Sequence, residues 1–233
     1  MGGVVTRLPL FPLGTVLVPG QVLPLHVFEP RYRQLVDDLM AEGQREGRMT
    51  FGVIAIRAGL EVGAEHLHAL HGVGCVAQVI EVRQHPDGSS SVESVGRERF
   101  RLIDIDTTAG TPYLTGLVEL IEEPIESVDP VLVARVQAAF ETYSKRLAAV
   151  VGAEAPDPDE HGRALRDDPT VLSYLVTATM LLHLADRQRL LASPDAGSRL
   201  RTALQLLNRE VTLLGVLPSV PAIDLAQLPA DPR

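Results

Sequence analysis

Arg99-Phe100-Arg101-Leu102-Ile103-Asp104-Ile105-Asp106 is the stretch on which the fold turns. Phe100, Leu102, Ile103 and Ile105 interleave with Arg101, Asp104 and Asp106, the two-residue period of a half-buried strand. Outward from it, residues 22–28, 51–56, 73–82, 91–95 and 113–121 read as further strands. Pro86-Asp87-Gly88-Ser89 on one side and Gly96 on the other mark turns around the 91–95 run. Several short strands at this spacing indicate a small barrel rather than a parallel sheet. One helix interrupts them: Pro30 suits a first helical position, and Tyr32, Leu35, Val36, Leu39 and Met40 follow at helical spacing, with Gly43 as the expected stop.

After Glu122-Glu123-Pro124 the period changes. Asp129-Pro130 opens a helix with the apolar face Leu132, Val136, Phe140, Tyr143, Leu147 and Val150. A Pro-, Asp- and Gly-rich loop follows at 152–163, and Asp168-Pro169 starts a second helix through Val171, Leu172, Leu175 and Thr179. A shorter helical segment covers about 184–192. The last helix carries Ala196, Leu200, Ala203, Leu204, Leu207, Val211 and Leu214 on one stripe and is expected to end at Gly215. The reading is an α+β chain: a β-barrel part over 1–125, a helical bundle over 126–216 and a Pro-containing tail over 217–233. No internal repeat is visible.

Composition narrows the function. Aromatic residues are 4% of the 233 and Trp is absent, which disfavours the stacking platforms of single-strand nucleic-acid binders. The net charge is −9, and residues 1–125 carry 10 Arg against 16 acidic residues, so neither half has the basic excess that phosphate binding needs. Cys75 is the only cysteine, which excludes an internal disulfide and fits a reducing compartment. No apolar run approaches the roughly 20 residues of a spanning helix, and no basic-then-apolar signal pattern opens the chain. Met1-Gly2-Gly3-Val4-Val5-Thr6 fits the loose N-myristoylation pattern, which short sequences match by chance. The expected location is cytoplasmic, without membrane association.

Linked motifs add a resemblance. Leu8-Pro9-Leu10-Phe11-Pro12-Leu13-Gly14-Thr15-Val16-Leu17-Val18-Pro19-Gly20 runs on to Phe28-Glu29-Pro30-Arg31-Tyr32-Arg33. His71-Gly72-Val73-Gly74-Cys75-Val76-Ala77 and Gly96-Arg97-Glu98-Arg99-Phe100-Arg101 come later. In order and spacing this resembles the N-terminal substrate-binding domain family of the Lon proteases, and most closely its short, free-standing bacterial members without ATPase and protease domains. The resemblance implies a PUA-like β pseudo-barrel with one inserted helix, packed on an α-helical bundle. It implies recognition of unfolded or extended polypeptide, with a protease or chaperone as partner, no chemistry and no cofactor.

The lysine count supports the negative half of that expectation. Lys145 is the only lysine and follows Ser144, so the sequence holds no G-K-[ST] phosphate loop. Ser144 cannot pair with it as a Ser-Lys dyad, because adjacent helical side chains point about 100° apart. His66, His68 and His71 lie near Cys75, but no single regular element gathers all of them, so no metal site is assigned. Cys75, among Val73, Gly74, Val76 and Ala77, reads as a small hydrophobe in a buried strand rather than a nucleophile.

Two sets remain as binding candidates. Phe11, Leu13, Val16 and Val18 are either core or an exposed apolar patch suited to extended peptides. Glu29, Arg31, Tyr32, Arg97, Arg99, Phe100 and Arg101 form the second set. Glu29 is expected to cap the helix or pair with an arginine of the 97–101 strand, and alternation puts Arg97, Arg99 and Arg101 on one small basic face. The alternative function is a PUA-like small-molecule or RNA-binding module, which the missing basic excess makes the weaker reading.

Overall fold

The computed structural model describes residues 4–57, 69–124, 127–152 and 168–216. Its strands are β1 (Val5–Leu13), β2 (Val22–Val27), β3 (Thr50–Ala55), β4 (Val73–Gln84), β5 (Ser90–Ile105) and β6 (Thr115–Ile121). They run in the order β2-β5-β4-β3-β1-β6, and β6 pairs again with β5, so five strands close on themselves and β2 lies on the outside of the ring. Closure depends on the length of β5. Its first half pairs with β2, from Val22↔Val95 to Val27↔Ser90, and its second half with β6, from Arg99↔Ile121 to Ile105↔Gly116. The α+β fold is therefore a pseudo-barrel followed by helices.

The runs 91–95 and 99–106 are thus one strand, and Gly96 is not a turn. It stands where another segment crosses: a Cβ there would lie 2.2 Å from the Val18 carbonyl oxygen. Segment 5–13 is also a strand, pairing in parallel with β3 and antiparallel with β6.

Alternation divides the barrel wall. Leu8, Leu10, Ile54, Val76, Phe100 and Val118 are buried together inside. Gly74 makes room for the Phe100 ring, whose Cζ lies 2.4 Å from where a Cβ would stand. On the other side Phe11, Phe51, Val53, Cys75, Ala77 and Val79 meet Tyr32, Leu35, Val36 and Leu39 of helix α1 (Pro30–Glu46). Full burial of each Val, Leu or Phe side chain here contributes about 1.5–3 kcal/mol. α1 does not stop at Gly43, which remains helical beside Met49. It ends one turn later at Gly47, whose left-handed φ of 72° and N–H to the Gly43 carbonyl make the cap.

The helical part holds α2 (Pro130–Val151), α3 (Pro169–Thr179), α4 (Leu184–Leu191) and α5 (Ala196–Val216). Asp129 and Asp168 accept from the first free N–H groups of α2 and α3, each followed by Pro at the first helical position. Val136, Phe140, Tyr143, Leu172, Val176, Leu200, Ala203 and Leu207 form their common core. Gly215 lies inside the last turn of α5 rather than beyond it. Among the described residues no helix is long and apolar enough to cross a membrane.

Candidate functional site

Barrel and helices meet along a seam made of Val16, Val18, Ala55, Tyr174 and Leu191, all buried. Polar ties cross it. Arg99 Nη1 donates to the carbonyls of Leu191, the last residue of α4, at 2.8 Å and of Ser193, just beyond it, at 2.5 Å. Gln188 Nε2 donates to Val73 O at 2.9 Å, and Arg187 Nη2 to Gln21 Oε1 at 3.1 Å. Beside this seam the surface opens into a groove of about 1030 Å3. Val4, Thr6, Arg97, Arg99, Leu120 and Ile121 line its barrel side, and Thr170, Val171, Tyr174, Leu175 and Ala178 of α3 its helical side. Val4, Leu120 and Val171 are large apolar side chains left exposed there.

Charge is concentrated at one point of the lining. Arg99 and Arg199 are both buried, with side-chain exposures of 1% and 0%, and both engage the single carboxylate of Glu123. Arg99 Nε lies 2.7 Å from Glu123 Oε1, and Arg199 Nη2 lies 3.2 Å from each Glu123 oxygen. The Tyr174 hydroxyl also donates to Glu123, while the Arg199 guanidinium stacks 3.9 Å from the Tyr174 ring centroid. Burial raises the Tyr174 pKa, so this hydroxyl stays protonated and neutral, and burial lowers that of Arg199.

The residues singled out from the sequence separate. Phe11, Val16 and Val18 are core, Phe11 stacking on Tyr32 with centroids 4.1 Å apart, and Leu13 is half-buried against the same cluster. The apolar entry segment at 8–24 therefore offers no open patch at Phe11, Leu13, Val16 or Val18. Glu29 neither caps α1 with its side chain nor reaches the 97–101 strand; it pairs with Arg31 at 2.8 Å, and Arg31 lies over the buried Tyr32 ring at 4.6 Å. Nor do the three strand arginines form an open basic face. Arg97 Nε donates to Gln78, Arg101 lies 3.7 Å from Glu119, Arg99 is buried in the seam, and Phe100 fills the barrel interior.

Of all these candidates, Arg97 and Arg99 line the groove. Sequence reasoning missed Leu120, Glu123, Val171, Tyr174 and Arg199. One signal was available: Arg199 falls on the stripe of Ala196, Leu200 and Ala203, and a charge on an apolar stripe is buried with a partner.

Cys75 is buried and its thiol points at the Val76 and Arg97 carbonyls, with burial pushing its pKa up to about 12. His66 and His68 lie outside the described residues. His71 is half-exposed, and partial burial together with Arg57 lowers its pKa. Among the described residues no three His, Cys, Asp or Glu side chains converge to hold a metal ion.

Comparison with known proteins places this geometry. The chain is similar to Lon protease 1 of Herpetosiphon aurantiacus, 26% identical over 210 residues that are 90% of the chain and 24% of that protein. It is 27% identical to the Lon protease of Escherichia coli K12 over 217 residues, 90% of the chain and 26% of that protein. It thus spans about a quarter of the length of these relatives. Among solved structures, the Lon N-terminal domain protein of Xanthomonas campestris superposes with a TM-score of 0.60 at 23% identity, covering 91% of this chain and 99% of that one. The N-terminal domain of the Mycobacterium avium complex Lon protease gives 0.54 at 19% identity, covering 87% and 98%. These two likenesses show the fold. The family model described as the ATP-dependent protease La (LON) substrate-binding domain matches residues 7–209, and the chain belongs to that family.

Proposed function

We propose that this chain is a non-catalytic, cytoplasmic recognition module that holds an unfolded or extended polypeptide segment in the groove between barrel and α3, as an adaptor for a protease or chaperone partner. The observation that carries the reading is the groove itself. Its lining is largely apolar, and it keeps Val4, Leu120 and Val171 in water, where such side chains mark a binding surface. An extended apolar segment laid along it would cover them. The family match across residues 7–209 supports a substrate-binding role, and the single lysine supports the absence of ATP-driven and Ser-Lys chemistry.

The test is fluorescence anisotropy of the purified protein with a labelled, apolar, unstructured peptide. Val171→Asp and Leu120→Asp place a carboxylate in the lining at positions that are already exposed, and each should weaken binding at least ~10-fold, about 1.4 kcal/mol, with the circular dichroism unchanged. Leu213→Asp, on an exposed apolar residue of α5 away from the lining, should bind as the parent does. Absence of peptide binding, or equal affinity of Val171→Asp and parent, would overturn the reading.

A further inference from the structure

The exposed charges of the groove are uneven. Glu98 and Glu122 both line it, and both stand in water. The β5–β6 register ends at Arg99↔Ile121, and one step further it sets Glu98 opposite Glu122. Alternation from the Phe100↔Leu120 pair puts both carboxylates on the face of the wall that carries the exposed Leu120. Like charges opposed across two strands repel and are destabilising. Among the described residues no hydrogen bond or ion pair reaches either carboxylate. The cations of the lining are turned elsewhere. Arg97 gives its Nε–H to Gln78 at 2.7 Å, and Arg99 is buried against Glu123 and the Leu191 and Ser193 carbonyls. A second opposed pair, Glu81↔Glu93 across β4 and β5, lies outside the groove, and there Arg83 lies 3.0 Å from Glu81. The fold answers that pair with a cation of its own; among the described residues it leaves the groove pair without one.

We propose that the groove selects polypeptide segments in which a lysine or arginine stands beside apolar side chains, the cation seated between Glu98 and Glu122. This rests on the reading of the groove as a polypeptide site and names the class of segment it takes. An ammonium or guanidinium group offers donors to two carboxylates at once and cancels their repulsion. Its aliphatic stem lies along Leu120, while neighbouring side chains of the segment cover Val4 and Val171. An occupied groove sheds water, so the attraction is screened less than between charges in open solvent. The net charge of −9 favours the same partner at longer range and repels acidic segments.

The experiment measures three labelled eight-residue peptides against the whole protein by anisotropy at low salt. They share one apolar sequence and differ at a single central position, which is Lys, Gln or Glu. The Lys peptide is expected to bind about 5-fold more tightly than the Gln peptide, the strength of one or two exposed ion pairs, and the Glu peptide most weakly. Glu98→Gln with Glu122→Gln, both at exposed positions, should bring the Lys peptide to the affinity of the Gln peptide. Glu98→Lys with Glu122→Lys should reverse the order, so that the Glu peptide binds best. Glu81→Gln with Glu93→Gln removes the same charge outside the groove and should leave the preference as in the parent. Equal binding of the three peptides, with the Gln peptide still weakened by Val171→Asp, overturns the selection for a cation and leaves the groove reading intact. A preference that survives Glu98→Gln with Glu122→Gln, or that falls equally with Glu81→Gln and Glu93→Gln, overturns the seat between Glu98 and Glu122. If no peptide binds, or if Val171→Asp binds the Gln peptide as the parent does, both the seat and the groove reading fail.

Discussion

At Cys75 a single side chain records how dry the barrel wall is. Its thiol is held neutral to about pH 12, against an ordinary value near 9, because burial disfavours the thiolate. The folded pKa is raised, so the stability tied to the thiol is fully present below about pH 9 and is lost as pH rises toward 12. Urea unfolding of the parent should fall relative to Cys75→Ala by about 1.4 kcal/mol per pH unit between pH 9.5 and 11. The tyrosines titrate in both proteins and cancel. A constant difference across that range would show the thiol to be solvated. Gly96 makes a second point at this scale. A methyl group added there meets the Val18 backbone oxygen at 2.2 Å, and backbone cannot yield as a side chain tip can, so Gly96→Ala should cost about 3 kcal/mol in chemical denaturation. The alternation at 99–102 was readable from sequence, and Phe100 faces inward accordingly. What covers the opposite side of the strand was not, because the partners of Arg99 come from residues 123, 191 and 193 and alternation says nothing about distant neighbours.

The elements read best where one period dominates. α2, α3 and α4 open at or beside the positions that Asp-Pro pairs and apolar spacing mark, whereas β1 was hidden by Pro9 and Pro12. Proline lacks the donor a ladder needs, so a run containing two of them reads as loop. Here those residues still sit in register, Pro9 opposite Thr115 and Pro12 opposite Ile54. Gly96 misled in the other direction, since a glycine between two apolar runs signals a turn unless a crossing segment demands the space. The start of α3 ties an element to the groove. Asp168 accepts from Thr170 and Val171 N–H, and those two residues line the groove. Asp168→Ala should cost about 1 kcal/mol in stability and loosen that first turn. Hydrogen exchange at Thr170 and Val171 should quicken, and groove-dependent peptide binding should weaken a few-fold. Unchanged exchange there would show that packing, not the cap, holds the turn.

For the whole molecule the question is what fixes the barrel against the helices, because the groove exists only while they hold their relative place. Among the described residues the apolar seam is small, five buried side chains, and the charged cluster lies beside it. Removing its members should have unequal effects. Arg99→Met leaves Arg199 and Glu123 as a matched pair and forfeits the bonds to the Leu191 and Ser193 carbonyls. Glu123→Gln leaves two buried guanidinium groups facing a neutral amide, the costlier error, expected at about 3–5 kcal/mol. Glu119→Gln, beside the exposed Arg101, should cost less than about 1 kcal/mol. Calorimetry separates destabilisation from uncoupling. If the cluster holds the two parts together, the parent melts in one transition and Glu123→Gln in two, the barrel and the helices unfolding apart. A single transition merely shifted to lower temperature would mean that the apolar seam alone couples them.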